Sequence, residues 1–317
     1  MRFLVIDTDT GIDDAIAILM ALRDPSCRVV AITAVAGNVP LPRVLANIGI
    51  VLDAAGAGPI PVYPGAARPL LGEPVHATYV HGEDGLGDAG FPTSSRPVEG
   101  EPAALALIRL ARQQPRALTL VTLGPLTNLA LALALEPTLA ELLARIVVMG
   151  GAVHGRGNVT PAAEFNIYAD PEAAVVVFDR VPELTLVPWE TVLDHRVPWD
   201  RWDRLTNAGP LGQHFVRPMT SRLVDWIRTA RGLDGFPLAD PLAMAVALHE
   251  ACVQKVRQAT VAVETGGRLT RGATPVADGM PHSRGKARIV EAVDAGQFEQ
   301  MLQRACTGAY HLTPSGR

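Results

Sequence analysis

Short apolar runs alternate with amphipathic stretches along most of the chain. Phe3 to Ile6 is apolar and β-branched, the pattern of a buried strand. From Asp14 the apolar residues Ile16, Leu19, Met20 and Leu22 follow near-helical spacing until Asp24-Pro25 ends the run. Arg28 to Ala36 reads as a second strand closing at Gly37-Asn38, a helix follows over about 43–55, and Pro61 to Tyr63 is a short extended piece. A helix over 101–113 then precedes the strand Leu118–Leu123, a Gly124-Pro125 turn and a helix to Leu135. Ile146 to Met149, Leu184 to Val187, Val256 to Val263 and Ala287 to Val290 read as further strands. Residues 219–231, 242–248 and 298–306 read as helices. Such alternation predicts an α/β fold built on a mostly parallel sheet with right-handed crossovers. No linker or internal repeat divides the chain, so 1–317 reads as a single domain.

Two segments interrupt the pattern. Residues 69–97 are rich in Gly and Pro and too long for a simple connection, which predicts a mobile loop at an active site. This loop carries His81 within His81-Gly82-Glu83-Asp84-Gly85-Leu86-Gly87, either as a proton donor or as an ordinary surface histidine. Residues 217–236 form a second segment expected to border a pocket; Trp226 within it is either a packing residue or a platform for a base.

Composition narrows the class. Of 317 residues, 48% are hydrophobic and 19% charged, with a formal net charge of −4, as in an ordinary globular protein. There is no basic patch of the kind nucleic-acid binding needs; Arg217, Arg222, Arg228 and Arg231 read as a solvated helix face. No apolar stretch approaches a membrane span, and the N-terminus has no secretory pattern. Cys27, Cys252 and Cys306 are few and far apart, which suggests buried thiols in a reducing compartment and hence a cytoplasmic location.

The chemistry concentrates near the start. Asp7, Asp9, Asp13 and Asp14 fall within eight residues, at a strand's C-terminal end and a helix's first turn. That is where α/β sheets place their sites. A helix N-terminus tolerates one or two carboxylates, but four repel unless a cation sits among them. A hard, oxygen-liganded Ca²⁺ or Mg²⁺ explains them economically. A capped helix with solvated aspartates accounts for Asp13 and Asp14 but poorly for Asp7 and Asp9. An EF-hand fails because Gly11 and Ile18 stand at ligand positions. An aspartyl-phosphate phosphatase fits Asp7, Asp9 and Thr10 but lacks the downstream lysine with an acidic pair. Asn38 and the main-chain carbonyl of Leu123 fall at strand ends, and Asn158, Glu164 and Asn166 bunch along a Gly-rich loop, either to hold a hydroxyl-rich ligand or as an ordinary polar loop. Asp240 fits a helix N-cap, with Pro241 at the first helical position.

These stretches, in this order, resemble the nucleoside hydrolase family (inosine/uridine-preferring ribohydrolases). The resemblance is carried by Asp7-Thr8-Asp9-Thr10-Gly11-Ile12-Asp13-Asp14, Ala36-Gly37-Asn38, the His81 to Gly87 stretch and Leu123-Gly124-Pro125-Leu126-Thr127-Asn128. It continues through Met149-Gly150-Gly151, Asn158 with Glu164-Phe165-Asn166, Asp240-Pro241-Leu242-Ala243 and Thr270-Arg271-Gly272-Ala273-Thr274. It implies a Rossmann-like α/β domain with a mixed sheet, one Ca²⁺ per subunit, a homodimer or homotetramer, and a small nucleoside substrate. It makes Asp9, Asp14, Asp240 and the Leu123 carbonyl the metal ligands, and Asp9 also the general base towards a water held by the cation. Asp13, Asn38, Asn158, Glu164, Asn166 and Asp240 would hold the ribose hydroxyls, with Met149 and Phe165 lining the pocket.

The implied chemistry is coherent. Cleaving an N-glycosidic bond leaves positive charge on the sugar, which surrounding oxygens stabilise, and attack opposite the base inverts the anomeric carbon. One position departs from the family pattern: Ala239 stands where many members carry a histidine that assists the departing base. His81 becomes the first alternative donor, with stacking by Trp226 or Trp189 a weaker aid. The same gap leaves room for a nucleoside-binding protein without turnover.

Overall fold

The computed structural model describes residues 1–279 and 286–312. In chain order the first half runs β1 (Arg2–Thr8), α1 (Ile12–Arg23), β2 (Cys27–Ala34), α2 (Leu41–Ala54), β3 (Val62–Pro64), α3 (Thr78–His81), α4 (Ala103–Gln113), β4 (Leu118–Thr122), α5 (Thr127–Leu135), α6 (Leu139–Leu142) and β5 (Arg145–Met149). Next come α7 (Phe165–Ala169), α8 (Pro171–Arg180), β6 (Glu183–Val187), α9 (Trp189–Asp194), β7 (Val197–Pro198), α10 (Trp199–Asn207) and α11 (Arg217–Trp226). β8 (Gly235–Phe236), α12 (Ala239–Leu248), β9 (Val253–Thr260), β10 (Lys286–Val293) and α13 (Ala295–Thr307) complete the chain.

Eight strands form one sheet in the order β3-β2-β1-β4-β5-β6-β10-β9. All neighbours are parallel except β10 and β9, so the sheet is mixed, as the sequence suggests. The order reverses between β1 and β4. The crevice at such a switch point, beyond the strand C-termini, is the natural place for a ligand in this architecture.

Alternation along the strands separates two cores. Leu4 and Ile6 of β1, with Val147 and Met149 of β5, join the cluster under α1, α2, α12 and α13. Val5, Ile146 and Val148 face the opposite cluster, against α4, α5 and α8. The strands are therefore apolar on both faces, which is why they read as continuous runs and not as alternating ones. Among the described residues no helix is long and apolar enough to cross a membrane.

Several elements differ from the sequence reading. The helix expected over 219–231 is longer: π-helical turns at Gly212–Val216 and Ile227–Arg231 flank α11. Helix α12 begins at Ala239, so Asp240 lies inside its first turn and caps nothing. Asp170-Pro171 carries the cap instead: Asp170 accepts from the Ala173 N–H at 3.0 Å and starts α8, a helix the apolar spacing alone does not announce. β9 ends at Thr260, leaving Val261 in an isolated bridge to Val276.

Candidate active site

The acidic stretch folds as β1, a tight loop and α1. Because Asp7 shares a face with Val5, its side chain points towards α5. There Oδ1 accepts from Thr33 Oγ1 at 2.5 Å and Asn128 Nδ2 at 2.8 Å. Asp7 therefore braces three elements beneath the site, and burial pushes its pKa up to about 6. Asp14 reaches back to the Gly11 N–H at 2.9 Å and accepts from Thr8 Oγ1 at 2.5 Å and Asn38 Nδ2 at 3.1 Å.

Asp9 follows β1 directly and is fully buried. Its Oδ2 accepts from the Asn38 N–H at 2.7 Å, while Oδ1 has no partner among the described residues. A Cβ on Gly37 would collide with this carboxylate, and one on Gly124 would lie 2.8 Å from it, so both neighbours must be glycine. An unpartnered buried carboxylate oxygen is costly, and its presence signals a missing positive partner.

Asp13, Asp14 and Asp240 each bring a carboxylate oxygen within 4.8 Å of the other two. The Asp240 carboxyl faces Asp14, which is the physical reason it does not cap its helix. Burial, then the charges of Asp13, Asp14 and Asp9, hold Asp240 well above the usual carboxylate range. Burial and then Asp14 do the same to Asp9, and burial and then Asp13 raise Asp14 to about 6. Mutual repulsion of this kind, with only oxygen donors, fits a hard divalent cation. Asp9 lies outside the closest trio, which includes Asp13 instead.

The third strand end supplies more oxygens. The Leu123 carbonyl accepts from Asn166 Nδ2 at 2.7 Å, and the same amide lies 3.3 Å from the Met149 carbonyl. Glu164 caps α7, accepting from the N–H groups of Asn166, Ile167 and Gly151 at 2.9, 3.3 and 2.9 Å. Burial nevertheless pushes its pKa up to about 7. Asn158 Oδ1 accepts from the Phe165 N–H at 2.9 Å.

Over these groups opens a pocket with two unlike ends. Asp13, Asn38, Asn158, Glu164, Asn166 and Asp240 line it with polar atoms, while Leu123, Met149 and Phe165 fill between them. The other end is lined by Tyr79 and Val80 of α3, Leu223 and Trp226 of α11, and by Trp189, Ile227, Arg231, Leu233, Phe236 and Ala239. So 69–97 and 217–236 both contribute to the wall. Trp226 stands at the mouth, 38% exposed.

His81 is buried at this wall and is not a surface histidine. Its Nδ1 accepts the Ile12 N–H at 3.0 Å, which leaves Nε2 as the ring's N–H. Burial also lowers its pKa. A ring so held is neutral, so the proton donor expected from the sequence becomes an N–H hydrogen-bond donor.

The sequence profile of the inosine-uridine preferring nucleoside hydrolases matches residues 4–300. The chain belongs to that family. Among similar proteins, uridine nucleosidase 1 of Arabidopsis thaliana is 38% identical over 265 residues, spanning 83% of this chain and 79% of that protein. The pyrimidine-specific ribonucleoside hydrolase RihA of Citrobacter koseri is 37% identical over 274 residues, spanning 86% and 87%. A solved plant nucleoside hydrolase superposes with a TM-score of 0.91 at 32% identity, covering 96% of this chain and 99% of that one.

Relative to the sequence expectations for a nucleoside hydrolase, every named site residue lies at this pocket or directly beneath it. Three contributors are not evident from sequence pattern. Tyr79 and Arg231 line the pocket while staying exposed, so Arg231 is solvated as its sequence suggests and also stands at the wall. Glu190, beside Trp189, accepts from the N–H groups of Val153 and His154 at 3.2 and 2.8 Å and so fixes the Gly-rich loop after β5. Two of the other arginines in 217–231 pair with carboxylates away from the pocket: Arg222 with Asp88 and Arg228 with Asp203.

Proposed function

We propose that the chain hydrolyses the N-glycosidic bond of ribonucleosides, releasing ribose and the free base, with Ca²⁺ held among Asp9, Asp14, Asp240 and the Leu123 carbonyl. The observation that carries this is the bare Oδ1 of Asp9, buried among mutually repelling carboxyls at the polar end of a pocket whose other end is apolar. A divalent cation supplies, when bound, a water of lowered pKa. Asp13 adds a carboxylate close enough to share in that site.

Asp9 acts as general base. Its Oδ2 is fixed by the Asn38 N–H, so Oδ1 is the oxygen left to take the proton of an attacking water. Asp13, Asn38, Asn158, Glu164, Asn166 and Asp240 hold the ribose hydroxyls, and their oxygens stabilise positive charge as it develops at the anomeric carbon. Because Asn38, Glu164, Asn166 and Asp240 are buried, a 2′-deoxyriboside would leave some of these partners unpaired, which favours ribosides. Attack from the carboxylate side inverts the anomeric centre. His81 donates from Nε2 towards the base, and Trp226 and Trp189 flank it.

The test is ribose release from a panel of uridine, cytidine, inosine, adenosine and nicotinamide riboside, each with Ca²⁺ and with a chelator. Turnover lost on chelation and restored by Ca²⁺ is expected. Tight nucleoside binding without ribose release would replace hydrolysis by the sensor reading that Ala239 motivates.

A further inference from the structure

The apolar end of the pocket contains a charge that the ribose chemistry does not use. Arg231 is the last residue of the π-helical turn Ile227–Arg231, immediately before Gly232 in the left-handed region. Five residues on an ordinary α-helix would put Arg231 and Trp226 on different faces. The wider π turn brings them together, with the guanidinium 5.5 Å from the Trp226 ring centroid. Both residues line the pocket. Arg222 and Arg228 have carboxylate partners, whereas Arg231 has no ion pair among the described residues.

The proton supply at this end is poor. His81 is neutral, with its Nδ1 already accepting the Ile12 N–H. Burial pushes the Tyr79 phenol up. A guanidinium does not surrender its proton. Beside Arg231 stand Tyr79 and Trp226, and no carboxylate pairs with it among the described residues. This end therefore offers a positive charge and hydrogen-bond donors but no acid.

We propose that Arg231 is the leaving-group residue of the nucleoside hydrolysis on which this inference rests, and that it stabilises a base departing as an anion. The C1′–N bond breaks with its electron pair passing to the base. Water supplies the hydroxyl to C1′, its proton passes to Asp9 and then to solvent, and the released base takes up a proton from solvent. The balance is nucleoside plus water to ribose plus base. Arg231 is exposed at the pocket wall with its guanidinium set against the Trp226 ring, and a positive charge there, facing negative charge as it forms on the base, is an electrostatic aid. It favours oxo-bases, whose anion spreads over more carbonyl oxygens: uracil has two where cytosine has one, and hypoxanthine has one where adenine has none. Amino-bases, which need a proton to leave well, gain less. Uridine should therefore exceed cytidine, and inosine exceed adenosine.

The experiment compares wild type, Arg231→Gln and Arg231→Lys on those four nucleosides and on 4-nitrophenyl β-ribofuranoside, whose nitrophenolate is already a stable anion. Arg231→Gln should lower kcat on uridine about tenfold or more, with a smaller change in KM, but lower turnover of the nitrophenyl riboside less than about threefold. Arg231→Lys should recover part of the uridine loss, and the uridine-to-cytidine ratio should narrow in Arg231→Gln. An unchanged uridine kcat, an equal loss on both kinds of substrate, or a wild type indifferent between uridine and cytidine overturns the proposal. A wild type that cleaves the nitrophenyl riboside but no nucleoside also overturns it. One that releases ribose from none of them overturns the hydrolase reading itself.

Discussion

The backbone N–H of Ile12 and the Nδ1 of His81 are hydrogen-bonded at 3.0 Å, across 69 residues of sequence. The bond ties the loop that covers the pocket to the first turn of the helix that bears Asp13 and Asp14. It uses one of the orphan N–H groups at a helix start, which otherwise go to a cap or to water. Gly11 supplies no capping side chain, so the histidine does the work of one.

His81→Gln tests that bond and the base contact together. A glutamine carbonyl can accept from Ile12, and its amide can donate towards the base, but the ring packing is lost. The expected outcome is a kcat on uridine lowered about 10- to 100-fold with a small change in melting temperature. His81→Ala should lose more stability, about 1–2 kcal/mol, because a buried N–H is left unpaired. Thermal melts beside steady-state kinetics separate the two. A kcat for His81→Gln equal to wild type would remove the histidine from the reaction.

Asp9→Asn separates catalysis from folding. An asparagine Oδ1 can still accept the Asn38 N–H, so the local geometry survives. The proton acceptor is gone, and kcat should fall about 10²- to 10⁴-fold. Without metal the variant should melt no lower than wild type, since it removes a buried carboxylate whose Oδ1 is unpartnered. Near-normal turnover would sink the base assignment, and a large drop in metal-free stability would make Asp9 structural.

Much of this site is legible in the chain because its parts lie at strand ends, where apolar runs stop and polar residues begin. Asp9, Asn38 and Leu123 follow that rule, whereas Asp14 sits in the first turn of α1 and Asn166 in α7. What pattern does not carry is the direction of side chains within irregular segments. The π turn that brings Arg231 to Trp226 has no compositional mark, so the chain shows one more exposed arginine and not its place at a pocket wall. Asp-Pro shows the limit from the other side. The same dipeptide caps α8 at Asp170-Pro171 but not α12 at Asp240-Pro241, where facing Asp14 outweighs capping. Local chemistry is identical, and only the distant carboxylate distinguishes them. Glu190 likewise looks like any first-turn acid until the Gly-rich loop folds over it.

The raised carboxyls make stability depend on pH and metal in opposite senses. Asp7 and Asp14 at about 6 and Glu164 at about 7 bind protons more tightly folded than unfolded. Between roughly pH 4 and 7 the folded chain therefore holds more protons, and metal-free stability falls as pH rises through that window. Each group moved by two units contributes about 3 kcal/mol at most, less where charges relax together. A cation needs these groups ionised, so its stabilisation should grow over the same interval. Calorimetry in chelator should show the melting temperature declining from pH 5 to 7.5, and Ca²⁺ should raise it most at the upper end. A metal-free melting temperature that climbs with pH would contradict the picture.

Gly87→Ala probes how the two pocket walls are joined. Gly87 has φ +74°, and a Cβ there would collide with the main-chain carbonyl of Met219 in α11. The neighbouring Asp88 is paired with Arg222, and Phe91 packs on Phe215 with ring centroids 4.6 Å apart. These contacts hold the loop bearing Tyr79 and His81 against the helix bearing Leu223 and Trp226. Alanine must take the left-handed conformation, at about 1–2 kcal/mol, and must also push the walls apart. Since the base would sit between them, KM for uridine should rise about tenfold, about 1.4 kcal/mol of binding. The Ca²⁺ response of the melting temperature should persist, because the carboxylates belong to β1, α1 and α12. Arg222→Ala, which breaks the ion pair but leaves the close approach intact, should shift KM much less, as an exposed pair contributes about 0–1 kcal/mol. If both variants raise KM equally, the ion pair rather than the backbone approach holds the walls together.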